Sequence, residues 1–169
     1  MREFGYEVRG FLTIRGKSLR VPLNGALAVR ADPDSGRIAG DLVLAPSTVT
    51  RTVLGVTLVT ATVTITAESV AGRIDDESRL VATATVNASI AAAQVAGRTL
   101  LSGGSCRTAA PAMVPFRSRP GFALERGGRL VGRYRRPPFT GCGWITPLFN
   151  LLVTGPGNAA VIDLIPIPA

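Results

Sequence analysis

The side chains able to do chemistry in this chain are few, and the one most often used is missing: its 169 residues include no histidine. Ser-His-Asp and Cys-His arrangements therefore lack their general base, and imidazole metal ligation is excluded. Lys17 is the single lysine, so a Ser-Lys pair would have to be built on it, yet it falls in a Gly16-Lys17 turn where an exposed lysine is ordinary. Carboxylates occur in two clusters, Asp32 with Asp34, and Asp75 with Asp76 and Glu77. Paired carboxylates can run acid-base chemistry. Each cluster, however, sits at the tip of an expected hairpin, where short acidic side chains bond nearby backbone amides and favour turns for that reason. Asp32-Pro33-Asp34-Ser35-Gly36, even with Asp41, offers too few of the roughly six to eight oxygens that Ca²⁺ takes. The expectation is a protein that is not an enzyme and carries no metal or cofactor.

The remaining reactive groups are two cysteines and many arginines. Cys106 and Cys142 are neither closely spaced nor accompanied by histidine, which argues against zinc and for a disulfide. Closing that loop would restrict the unfolded chain by roughly 3 to 4 kcal/mol and implies an oxidising compartment. Of the 19 basic residues all but Lys17 are arginine, and the formal net charge is +8. The arginines run from Arg2 to Arg136, most densely over 117–136, and base-stacking aromatics are scarce, so a solvated basic surface is expected and a nucleic-acid partner is not. Arg133, Arg135 and Arg136 are the arginines placed to meet an anionic headgroup. No stretch approaches the roughly 18 to 20 apolar residues of a membrane-spanning helix. An export signal is also missing at the N-terminus, and an oxidising location would require that it had been removed.

The elements that must position these groups are strands. Side chains alternate across a sheet, so a half-buried strand reads apolar at every second position. Phe4, Tyr6, Val8, Leu12 and Ile14 hold even positions; Leu19, Val21, Leu23, Leu27 and Val29 hold odd ones across the Gly16-Lys17 turn. In a tight hairpin Ile14 then faces Leu19, Leu12 faces Val21 and Tyr6 faces Leu27, which puts both apolar sets on one face. A turn at 33–36 pairs Val29 with Gly40 and Leu27 with Leu42. A third, at Asp76-Glu77, pairs Ile65 with Ala88 and Val63 with Ile90, while Thr64 and Thr66 meet Ser89 and Asn87 on the other face. The link through Pro46 gives no clean parity, and 97–120 is too interrupted to place. Prolines in Ile165-Pro166-Ile167-Pro168 remove ladder donors, so that segment belongs at an edge or outside the sheet. Thr146, Pro147, Leu148, Leu151, Leu152 and Gly155 carry the N-cap, stripe and stop signal of one short helix.

Residues 1–169 thus read as one all-β domain, an antiparallel meander forming a sandwich or barrel of about eight to ten strands with one short C-terminal helix. Thr60, Thr62, Thr64 and Thr66, with Thr83 and Thr85, form the wet face of its longest hairpin. The opposite face carries small side chains, which either let sheets approach closely or leave a cavity. Val63, Ile65, Val86 and Ile90 are the residues that would line such a space.

The phrases Gly128-Arg129-Leu130-Val131-Gly132-Arg133-Tyr134, Pro138-Phe139-Thr140-Gly141-Cys142-Gly143, Thr146-Pro147-Leu148 with Asn150, and Gly155-Pro156-Gly157-Asn158 resemble a family of exported, uncharacterised β-rich proteins of high-GC Gram-positive bacteria. Cys106-Arg107-Thr108 looks like that family's first cysteine. The resemblance implies secretion and a Cys106 to Cys142 bridge, and it brings no catalytic residue with it. Two functions are expected to compete. One is a secreted or envelope-associated binding protein holding a lipid-like apolar molecule, with peripheral association to the envelope. The other is a structural or interaction module of the cell surface with a filled core and no small-molecule ligand.

Overall fold

A computed structural model of the chain describes residues 1–14, 19–53, 56–95, 97–143, 146–147, 150 and 155–168. Eleven antiparallel strands are present among them: β1 (Arg2–Ile14), β2 (Leu19–Ala31), β3 (Arg37–Leu44), β4 (Ser47–Val53), β5 (Val56–Ile74), β6 (Leu80–Val95), β7 (Arg98–Thr108), β8 (Ala112–Ser118), β9 (Gly128–Arg136), β10 (Phe139–Thr140) and β11 (Gly155–Pro166). Eight of them close on themselves in the order β6-β8-β9-β11-β1-β2-β3-β5, with β5 pairing back to β6. The sheet is therefore a barrel and not a sandwich.

The expected register holds at every pair named from parity: Ile14 with Leu19, Leu12 with Val21, Tyr6 with Leu27, Val29 with Gly40, and Ile65 with Ala88. The β5–β6 hairpin reaches that register by a different route. Its turn is Asp75 to Arg79, closed by Ile74 opposite Leu80, and the extra offset is cancelled by a bulge between Ala67 and Ser69. A bulge inserts one residue and reverses which parity points inward. Above it Ala61, Val63 and Ile65 face the core, and below it Val70 and Ile74 pack against the same core.

The β5–β6 hairpin is the spine. The lower half of β5 pairs with β3 and the upper half with β4, so Pro46 interrupts what is nearly one strand instead of turning a hairpin. That is why no parity match exists there. In the same way β8 pairs with the lower part of β6 and β7 with the upper part, which places the segment 97–120. The upper half of the spine, flanked by β4 on one side and by β7 and β10 on the other, continues past the barrel as an open sheet.

Inward positions are filled by Tyr6, Val8, Leu12, Val21, Leu27, Leu80, Phe116, Leu130, Tyr134 and Ile162. Closing eight strands demands sharp coiling, and two glycines permit it. A Cβ on Gly10 would lie 2.0 Å from the Val161 carbonyl oxygen and one on Gly25 1.9 Å from that of Val43, distances no side chain survives. Pro166 pairs with Tyr6 of β1, beyond the point where β9 stops pairing at Leu164, so its missing N–H costs no ladder bond to β9. The Gly16-Lys17 turn lies outside the described residues, as does most of the expected helix, of which Thr146, Pro147 and Asn150 are helical.

Candidate functional site

Among the described residues the acidic clusters are committed to turns. The Asp32 carboxylate accepts bonds from the Asp34 backbone N–H at 3.0 Å and the Ser35 hydroxyl at 2.6 Å. These bonds, the Ser35 hydroxyl foremost, hold its pKa below the usual carboxylate value. Asp75 accepts from the backbone N–H of Arg79 at 2.8 Å and of Glu77 at 3.0 Å, and pairs with the Arg79 guanidinium at 3.0 Å. Its pKa is lowered as well, chiefly by the Arg79 amide. Asp32 and Asp75 thus do the backbone work that short acids do at hairpin tips.

The C-terminal motif residues are likewise structural. Cys106 and Cys142 form a disulfide with Cα atoms 4.3 Å apart, fully buried at both ends, joining β7 to the residues just after β10. Asn150 accepts from the Phe139 amide at 2.6 Å and donates to the Phe139 carbonyl at 3.2 Å, completing the pairing of β10 on its free side. Thr146 accepts from the Cys142 amide at 3.1 Å and donates to the Gly143 carbonyl at 2.8 Å. Together these contacts pin the short path from the end of β9 to the edge of the upper sheet. A disulfide in this position is compatible with an extracellular, oxidising location.

That path begins at Arg136, the last residue of β9. Strand alternation turns Arg129, Val131, Arg133 and Arg135 outward and Leu130, Gly132, Tyr134 and Arg136 inward. Of the three arginines proposed to meet an anion, Arg133 and Arg135 are thus on the exterior, whereas Arg136 is only 6% exposed. It lines an apolar cavity of about 50 Å³ inside the barrel, together with Leu12, Ile65, Val86, Thr108 and Tyr134. Val63 and Ile90 are buried one step further along the same hairpin and do not line it. A second cavity of about 30 Å³ lies toward the other end. Leu42, Ala84, Phe116 and Ile162 border both cavities and form a waist between them.

The electrostatics of Arg136 set it apart. Several exposed arginines pair with carboxylates: Arg2 with Glu125 at 3.0 Å, Arg9 with Glu7 at 2.6 Å, Arg30 with Asp41 at 3.2 Å and Arg129 with Asp163 at 2.8 Å, while others stay in water. Among the described residues Arg136 has none. Its Nη2 donates to the Tyr134 hydroxyl across 3.4 Å, and its guanidinium lies 5.9 Å from the centre of the Phe139 ring. The hydrogen bond is longer than a good N–H···O contact and reaches a neutral acceptor. A charge removed from water costs several kcal/mol unless it is paired, and a cation–π contact returns about 0.5 to 2 kcal/mol of that. Arg136 is therefore an under-compensated buried cation.

Two further hydroxyl-bearing residues line the same space. The Thr108 hydroxyl accepts from the Ala88 amide at 3.2 Å and Tyr134 accepts from Arg136, so each hydroxyl keeps its own proton to donate. Neither Thr108 nor Tyr134 was singled out from the sequence as a site residue. A signal for Arg136 was present, because continuing the even series Leu130, Gly132, Tyr134 by one step brings Arg136 onto the inner face. No protein-family model, curated protein or solved structure matches this chain.

Proposed function

We propose that the chain is a secreted or cell-envelope binding protein, without catalytic activity, that holds a small apolar molecule inside its barrel. The observation that carries this reading is the cavity beside Leu12, Ile65 and Val86, an apolar space whose lining residues include Thr108, Tyr134 and Arg136. Apolar pockets with a few placed polar groups are the common form of small-molecule sites. Export is supported by the buried disulfide and by the resemblance carried by residues 128–158. A non-enzymatic role is supported by the lack of histidine and by acidic side chains engaged in turns.

Size limits the occupant. Lipid and drug-sized sites enclose roughly 300 to 1,000 Å³, and the cavity here is about 50 Å³. Ala82, Ala84, Ala88 and Ala160 give the wall room, but Tyr6, Phe116 and Tyr134 fill most of it. A longer chain would need Phe116 to leave the waist so that both cavities join. The same small volumes favour the second reading, a cell-surface structural or interaction module with a filled core.

Native mass spectrometry of exported protein, with organic extraction of anything retained, separates the two. A bound small molecule that is lost in Ala84→Leu, which fills the waist, is the outcome expected for a binding protein. Protein that is empty from every preparation and indifferent to Ala84→Leu would leave the filled-core module.

A further inference from the structure

We infer that Arg136 is the seat of a carboxylate, and that the molecule taken by the barrel is a short-chain carboxylic acid bound head-first against this residue. The inference rests on the proposed binding role and adds to it the chemical class of the ligand. Its basis is Arg136, a residue only 6% exposed that lines an apolar cavity and has no carboxylate partner among the described residues.

The recognition chemistry follows from donor count and shape. A guanidinium presents parallel N–H groups in a planar fork that matches the two oxygens of a carboxylate. Among the described residues only one N–H of Arg136 is engaged, by Tyr134 at 3.4 Å. Tyr134 and Thr108, which line the same cavity, each carry a further hydroxyl donor close by. Charge balance favours a monoanion: Arg136 is the only cation buried among the described residues, so a phosphate dianion would be left half-neutralised in an apolar wall. The rest of the lining is aliphatic or aromatic and fits a hydrocarbon tail. The volume of about 50 Å³ favours a chain of a few carbons over a long fatty acid.

The position is held rigidly from behind. Arg136 is followed by two prolines and then by Phe139, whose backbone is fixed by Asn150 and by pairing with Thr108 of β7. The disulfide anchors the same segment three residues later. Ligand binding would thus meet a preset cation and not an ordering loop.

The test uses the whole protein and matched ligands: butanoate and hexanoate against n-butanol, n-hexanol and n-hexylamine, by isothermal titration, with the Arg136 Nε–H resonance followed in ¹H–¹⁵N spectra. The expected result is one-to-one binding of the acids, about tenfold or more tighter than the alcohols, no binding of the amine, and a shift of the Arg136 resonance with the acids alone. Arg136→Gln should abolish the preference for acid over alcohol, and Arg136→Lys should restore part of it. If acids and alcohols bind equally and Arg136→Gln changes neither, the carboxylate assignment is overturned while the apolar seat stands. If neither class binds, both fall. The ligand series on the unaltered protein decides the matter even should Arg136→Gln fail to fold.

Discussion

Replacing Arg136 by methionine should make the ligand-free protein more stable. Methionine keeps the length and much of the apolar stem of arginine, so packing against the cavity wall is largely retained. What disappears is the charge. On the favourable side of the arginine stand one 3.4 Å hydrogen bond to a neutral hydroxyl and a Phe139 contact at 5.9 Å, together about 1 to 2 kcal/mol. Against it stands a desolvation cost of several kcal/mol for a guanidinium with no counter-ion among the described residues. The net gain on substitution is then about 1 to 3 kcal/mol, or roughly 3 to 10 °C in Tm for a domain of this size. Urea titration should show a higher midpoint with an unchanged slope, the signature of altered stability and not of altered compactness. The companion Arg136→Ala removes the stem as well and should show no such gain. A methionine variant less stable than the parent by 1 kcal/mol or more would refute the reasoning, because it would mean that the guanidinium is fully satisfied within the fold. Sites kept for function at the expense of stability behave in the predicted way.

Two other expectations concern the frame around the site. Reduction of the disulfide, or Cys106→Ser with Cys142→Ser, should cost about 4 kcal/mol for a loop whose ends are 36 residues apart; chemical denaturation with and without reductant measures it, and a loss under 1 kcal/mol would contradict the assignment. Tyr6, buried and bonded through its hydroxyl to the Leu124 carbonyl, has its pKa pushed up from 10.0 to about 12 by burial and, secondarily, by Glu125. The fold favours the neutral phenol, so this contribution to stability is complete below pH 10 and disappears as the pH rises to about 12. Tyr6→Phe should flatten the alkaline fall in unfolding free energy, and the phenolate absorbance of the parent should show one tyrosine ionising late.

Much of the barrel was legible in the sequence because alternation is local. Tyr6 opposite Leu27 and Val29 opposite Gly40 follow from counting residues to a turn, since a one-residue slip would expose a whole apolar set. The hairpin at residue 65 shows the limit of counting. A two-residue turn at Asp76-Glu77 predicts the observed pairing, but the chain reaches it with a longer turn and a bulge near Glu68 whose offsets cancel. Local periodicity cannot distinguish those two solutions.

What the sequence determined by itself is the strands flanking the three hairpins, the shared face of their paired residues, the absence of imidazole chemistry and the use of Asp32 and Asp75 in turns; all of these depend on neighbours within a few positions. Whether the sheet closed, how β3 and β4 share β5, and how much space remained inside depended on contacts between residues far apart in the chain, which no local pattern encodes. Arg136 spans both domains of knowledge. Its inward direction follows from the parity of β9, but its isolation from any carboxylate among the described residues exists only because closure of the barrel carried it away from water into a wall of leucine, valine and phenylalanine.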